Sequence, residues 1–116
     1  MKKLDTKSIG IDQGEAVIFS EYEGGGTMWT GAGERTRRHP VSFSGRYRAL
    51  PVVHCALSMW DIDSGANARV EVSAESVTNT GFDIVFRTWG DTRIARARVG
   101  WMAIGEVLHE DDWDLY

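Results

Sequence analysis

Between Ala68 and Val77 the chain alternates. Ala68, Val70, Val72 and Ala74 fall on one face, with Arg69, Glu71, Ser73 and Glu75 on the other. Successive side chains of a strand point to opposite sides, so a period of two predicts a half-buried β-strand. Thr78-Asn79-Thr80-Gly81 follows as a tight hairpin turn, and Phe82, Ile84 and Phe86 then share a face of the next strand. Beyond a second turn at Trp89-Gly90-Asp91-Thr92, the last strand runs from Arg93 to Ile104. Its Ala95, Ala97, Val99, Trp101 and Ala103 share one side, and Ile94, Arg96, Arg98 and Met102 the other.

Upstream, Ala16-Val17-Ile18-Phe19 and Val41-Ser42-Phe43 read as short strands, and Val52 to Trp60 as a long one. Asp61 to Asn67 is a polar turn. Helix signals are almost absent. Several short strands with turns every 8–12 residues or so predict an antiparallel sandwich or small barrel. The first 34 residues hold seven of the thirteen glycines, so that segment is expected to be poor in regular structure, with Trp29 pinning a loop to the core.

At 116 residues the chain makes one domain. Its net charge of −4 is unevenly distributed: residues 1–34 carry −3, 35–105 carry +4 with every base an arginine, and 106–116 carry −5. No apolar run reaches the roughly 18 residues of a membrane helix. Lys2-Lys3 is followed by no apolar stretch, so no secretory signal is expected. That reading leaves the chain cytoplasmic until released, or exported by a non-classical or lysis route. The lone Cys55 excludes an internal disulfide and, lying in an apolar run, reads as a buried, inert thiol.

Catalytic patterns are missing: no serine nucleophile elbow, no metal-spaced histidine pair and no phosphate-binding glycine loop. No enzymatic activity and no cofactor are expected. His54 reads as a hydrogen-bonded core or interface histidine. Asp61 and Asp63 form a pair that caps a turn or, less simply, holds calcium. The arginines group as Arg35, Arg37, Arg38, Arg46 and Arg48, and as Arg93, Arg96 and Arg98. A nucleic-acid stripe requires them on one exposed face. Their apolar neighbours, and glutamates at matching spacing (Glu71 and Glu75), fit ion pairs between strands or subunits better.

Arginine beside an exposed aromatic also suits a sugar. Trp offers a face for the apolar C–H side of a pyranose, and Arg a rigid fork of donors for its hydroxyls. Trp89, in a turn, and Arg69, opening a strand, fit those roles. The simpler alternative stays open: Trp89 in the core and Arg69 paired with Asp61 or Glu71.

An ordered set of motifs resembles the H-type lectin domain family, typified by a snail agglutinin and the C-terminal domain of the slime-mould discoidins. The set is Phe43-x-x-x-Tyr47-x-x-x-Pro51-Val52-Val53, Trp60-Asp61, Asn67-Ala68-Arg69-Val70, Gly81-Phe82, Thr88-Trp89-Gly90-Asp91-Thr92 and Val99-Gly100-Trp101-Met102-Ala103. The resemblance implies an all-β, six-stranded antiparallel β-sandwich that assembles as a homotrimer, sometimes as two stacked trimers. It implies binding of galactose or N-acetylgalactosamine-like sugars between subunits, without catalysis. One protomer is to supply Arg69 and an N-terminal loop at Gly24, Gly25 and Gly26; its neighbour is to supply the turn of Trp89, Gly90 and Asp91. The family's acidic loop contacts, the His after the Trp and a later Tyr are replaced here by Gly25 and Gly26, Gly90 and Ala95. Independently, strands 52–60 and 93–104 carry apolar residues on both faces, which predicts a partner. Opposed rows of Glu71 and Glu75 against Arg96 and Arg98 are expected to set the subunit register.

The resulting division is an N-terminal strand and Gly-rich loop segment packed on the domain (1–40), a lectin-like sandwich core (41–105) and an acidic tail (106–116). The first functional reading is a multivalent lectin for surface glycans, with no nucleic-acid partner and no membrane insertion. The alternative is a structural or adhesion module of a phage-like particle or surface fibre. Trp113 and Tyr116 of the tail are expected to dock on a neighbour.

Overall fold

The computed structural model describes residues 1–5 and 8–109; the expectations for Trp113 and Tyr116 lie outside them. Six strands make two three-stranded antiparallel sheets. They are β1 (Ile9–Ser20), β2 (Arg35–Ser42), β3 (Val52–Ile62), β4 (Val70–Glu75), β5 (Gly81–Thr88) and β6 (Ile94–Glu106). One sheet has the order β1-β6-β3 and the other β2-β5-β4, so β5 and β6, consecutive in the chain, sit at the two centres.

The sheets bury complementary shapes. Ala97, Val99 and Ala103 of β6 are small and fully buried, which leaves depth for Phe82, Ile84 and Phe86 of β5. Phe43 stacks on Phe82 at 5.8 Å, and Trp101 meets Phe82 edge-on at 5.5 Å. Tyr47 is 3% exposed because its hydroxyl donates to the carbonyls of Gly10 and Ala103, each at 3.1 Å. That bond ties the β2–β3 connection across the end of β1 and β6, which gives the Phe43–Tyr47 spacing its physical purpose.

The glycine-rich start is not poor in structure: β1 is 12 residues long. Gly14 lies in it because a Cβ there would stand 2.9 Å from the Trp101 indole nitrogen. A bulge between Val17 and Phe19 breaks the β1 alternation and turns Phe19 into the core, where it meets Phe86 edge-on at 5.1 Å. The run Ala16–Phe19 is continuous for that reason. The short strand expected at Val41–Phe43 overlaps the end of the longer β2, which stops at Ser42, and Arg35, Arg37 and Arg38 are strand residues. A single helical turn, α1 (Thr27–Thr30), lies in the β1–β2 connection. Its fully buried anchor is Met28, while Trp29 is half-buried under the Arg93 guanidinium at 4.5 Å.

His54 is exposed on the outer side of β3, not in the core. Cys55 is buried, and burial pushes its thiol pKa up, as an inert thiol requires. Asp63 caps its turn through the Gly65 N–H at 2.9 Å and pairs with Arg93 at 3.1 Å; Asp61 faces Arg96 at 3.5 Å. The turn-capping reading holds. Glu71 and Glu75 pair with Arg87 inside their own sheet, and Arg98 pairs with Glu15. These rows therefore close within one chain and do not remain free to set a register between subunits.

Candidate functional site

Three connections meet at one end of the sandwich: β1–β2, β3–β4 and β5–β6. Asp63 N–H donates to the Arg93 carbonyl at 2.9 Å, Gly33 N–H donates to Gly90 O at 2.9 Å, and Arg93 Nε donates to Trp29 O at 2.9 Å.

The β5–β6 turn is held by its two threonines. Thr88 and Thr92 are 1% and 0% exposed. Thr88 Oγ1 donates to Arg69 O at 2.6 Å, and Thr92 Oγ1 donates to Asn67 O at 2.5 Å while accepting from Arg69 N–H at 3.0 Å. Both hydroxyls thus staple the lead into β4 against the turn. The spacing Thr-Trp-x-x-Thr follows from this: the threonines point in, and Trp89 between them is turned out, 41% exposed. The core reading of Trp89 is excluded.

Arg69 pairs with Asp91, Nη1 to Oδ1 at 2.5 Å, and not with Asp61 or Glu71. Asn67 adds its side-chain amide to Asp91 at 3.3 Å. Partial desolvation pushes the Asp91 carboxyl up, but hydrogen bonds from Asn67 and Arg69 outweigh it and hold the pKa below the usual carboxylate value. Gly90 has φ +70°, and a Cβ there would lie 3.2 Å from Arg69 Nη1. Only glycine allows both the left-handed turn and the close guanidinium. Arg69, Trp89, Gly90 and Asp91 therefore form one unit in a single chain, whereas the resemblance divides Arg and Trp between neighbours.

Gly24, Gly25 and Gly26 are not part of that unit. Among the described residues no hydrogen bond links them to Arg69, Trp89 or Asp91. Gly26 instead lies against Glu21, whose carboxylate accepts from Met28 N–H at 2.8 Å and pairs with Arg37 at 2.6 Å. The part of the β1–β2 connection that reaches the turn is Gly33 and Glu34. Glu34 lines, with Thr36, Glu71, Arg87, Thr88 and Trp89, an open groove of about 420 Å³.

Sequence reasoning also missed Arg35. It is 8% exposed and donates to the carbonyls of Gly33, Thr27, Met28 and Thr92 at 2.7–3.2 Å, and to Gly90 O at 3.5 Å. It fixes the β1–β2 connection to the Trp89 turn. Its partners are main-chain oxygens, which leave no side-chain signature in a sequence.

The remaining arginines do not make one basic stripe. Arg37, Arg38, Arg87, Arg93, Arg96 and Arg98 each face a carboxylate, distributed over both sheets. Among the described residues no cluster of His, Cys, Asp or Glu has a metal-binding arrangement. No helix among them is long and apolar enough to cross a membrane.

Residues 38–104 match the H-type lectin domain model. The chain belongs to the H-type lectin domain family. A Fuscovulum blasticum protein named "ATP synthase subunits region ORF 7" is 48% identical over 93% of this chain and 94% of its own length. A discoidin-1 polypeptide of Dictyostelium discoideum is 32% identical over 64% of this chain, which spans 30% of that protein. Among solved structures, wild-type discoidin II from the same organism superposes with a TM-score of 0.74 at 24% identity, over 87% of this chain and 38% of its own. A second discoidin II structure gives 0.75 at 22% identity, over 93% and 41%. This lectin domain thus shares the discoidin fold and spans less than half of the discoidins it matches.

Proposed function

We propose that this H-type lectin domain binds a terminal galactose or N-acetylgalactosamine-like sugar of a surface glycan at the Trp89 turn, and does so multivalently as a homotrimer. The observation that carries the reading is an exposed tryptophan clamped beside an arginine–aspartate pair. Thr88 and Thr92 hold the turn rigid, so little ordering cost falls on binding. The Trp89 face takes the apolar side of the ring. Arg69 donates to hydroxyls, and Asp91, kept ionised by Asn67 and Arg69, accepts from them. Gly90 presents main chain without a side chain in the way.

The trimer draws on the outer side of the β1-β6-β3 sheet. Ile11, Ile104 and Val52 lie in one row across its three strands, and Gln13, Met102 and His54 in the next but one. Ile11 is 67% and Val52 53% exposed. An exposed apolar row across all three strands, with Met102 beside it, fits a second copy of the chain. Three weak sugar sites on one particle raise avidity by about 10²–10⁴. Trp89→Ala and Arg69→Ala are each expected to abolish glycan-array binding while sedimentation stays unchanged; wild-type binding by either variant removes that residue from the site.

The same apolar face also favours the second reading, a structural or adhesion module in a larger particle. A flat glycan array from an intact oligomer selects it.

A further inference from the structure

The groove beside Trp89 has a one-sided supply of free charge. Its volume of about 420 Å³ falls in the range of small-ligand sites. The cations around it each face a carboxylate or main-chain oxygens. Arg87 faces Glu71 at 3.2 Å and Glu75 at 2.7 Å, Arg69 faces Asp91 at 2.5 Å, and Arg35 is buried on main-chain oxygens. Glu34 is exposed, lines the groove, and has no hydrogen-bond or ion-pair partner among the described residues. Glu71, another lining residue, is 56% exposed in its side chain.

We infer that this groove selects sugars by charge: it accepts neutral and ammonium-bearing sugars and rejects those carrying sulfate, phosphate or carboxylate. The inference rests on the carbohydrate reading above. An anionic substituent in the groove meets Glu34 and Glu71, and each exposed guanidinium near it already faces a carboxylate that offsets its charge. Repulsion of that kind at contact distance costs at least about fivefold in affinity. An ammonium group gains on both sides, from the Glu34 carboxylate and from the negative face of the Trp89 ring.

The test is calorimetric titration of the whole chain with galactosamine, galactose and galactose 6-sulfate at low salt, repeated with Glu34→Gln. The expected order is galactosamine tightest and the sulfate weakest, with at least about a fivefold spread that narrows in Glu34→Gln and in high salt. Galactose 6-sulfate binding as tightly as galactose, or an order unmoved by Glu34→Gln, overturns the charge selection and leaves the lectin reading standing. Silence of all three sugars on the wild type overturns both.

Discussion

The two outer faces of the sandwich strike different balances between ion pairs and exposed apolar side chains. The β2-β5-β4 sheet carries a lattice of ion pairs: Arg38 to Glu75 and Asp83, and Arg87 to Glu71 and Glu75. Val85, in the middle of β5 on that sheet, is fully buried. The β1-β6-β3 sheet also has ion pairs, Arg96 to Asp61 and Arg98 to Glu15, but leaves Ile9, Ile11, Val17, Val52 and Met102 between 42% and 67% exposed. One face is finished within the chain and the other is not. The finished face leads directly into the Trp89 groove through Glu71 and Arg87. The proposed functions divide along the same line: ligand recognition follows from the charged face and the loop end above it, and assembly from the apolar face.

The largest effect comes from loading the apolar face with charge. Ile11→Lys is expected to convert the proposed trimer wholly to monomer in sedimentation. Thr36→Lys, the same charge added to the finished side, is expected to leave the sedimentation coefficient unchanged. Equal responses of the two variants contradict the division.

Next in size is Arg35→Leu, which leaves buried carbonyls of Met28 and Thr92 without their donor. Denaturant unfolding is expected to show a loss of about 3 kcal/mol. Glycan binding falls as well, because the Trp89 turn loses its tie to the β1–β2 connection. A stability change within error contradicts the role given to Arg35.

Gly90→Ala is smaller, about 1–2 kcal/mol from the left-handed φ alone. Its contact with Arg69 makes sugar affinity fall further than stability. An alanine variant with unchanged affinity shows that the guanidinium can move aside without consequence.

Acid has the mildest effect, confined to the finished face and its turn. The Glu75 pKa is lowered mainly by the Ser73 hydroxyl and the Arg87 guanidinium, and Asp91 is lowered too. A carboxyl depressed in the folded state adds stability above its unfolded pKa, about 3.9–4.3, and loses it as pH falls through the lower folded value. Thermal stability is therefore expected to fall below about pH 4, with a shallower acid limb in Glu75→Gln. An identical limb in that variant places the acid response elsewhere.

Much of the fold was legible because β4, β5 and β6 alternate with few interruptions and their turns are marked by Thr, Asn and Gly. Legibility failed where packing overrode the local signal. Gly10 and Gly14 look like loop residues, yet they are strand glycines that make room for Val107 and for Trp101. The β1 bulge converts an alternating strand into an apolar run. In the site, Trp89, Gly90 and Asp91 are adjacent and were readable together. The partner of Arg69 was not, because Asp91 is 22 positions away and only the β4–β5 register and the following turn place the two in contact. Gly24–Gly26 satisfied the glycine pattern of a binding loop, but Glu21 uses the space above Gly26. Within one chain it is Gly33 and Glu34 that lie beside the Trp89 turn.

The most direct test is glycan binding by wild type and Trp89→Ala, read on samples whose sedimentation is recorded in parallel. Recognition at the Trp89 turn predicts sugar binding by the wild type, its loss in the variant by at least about tenfold, and the same oligomer in both. Undiminished binding by Trp89→Ala with the oligomer intact contradicts it.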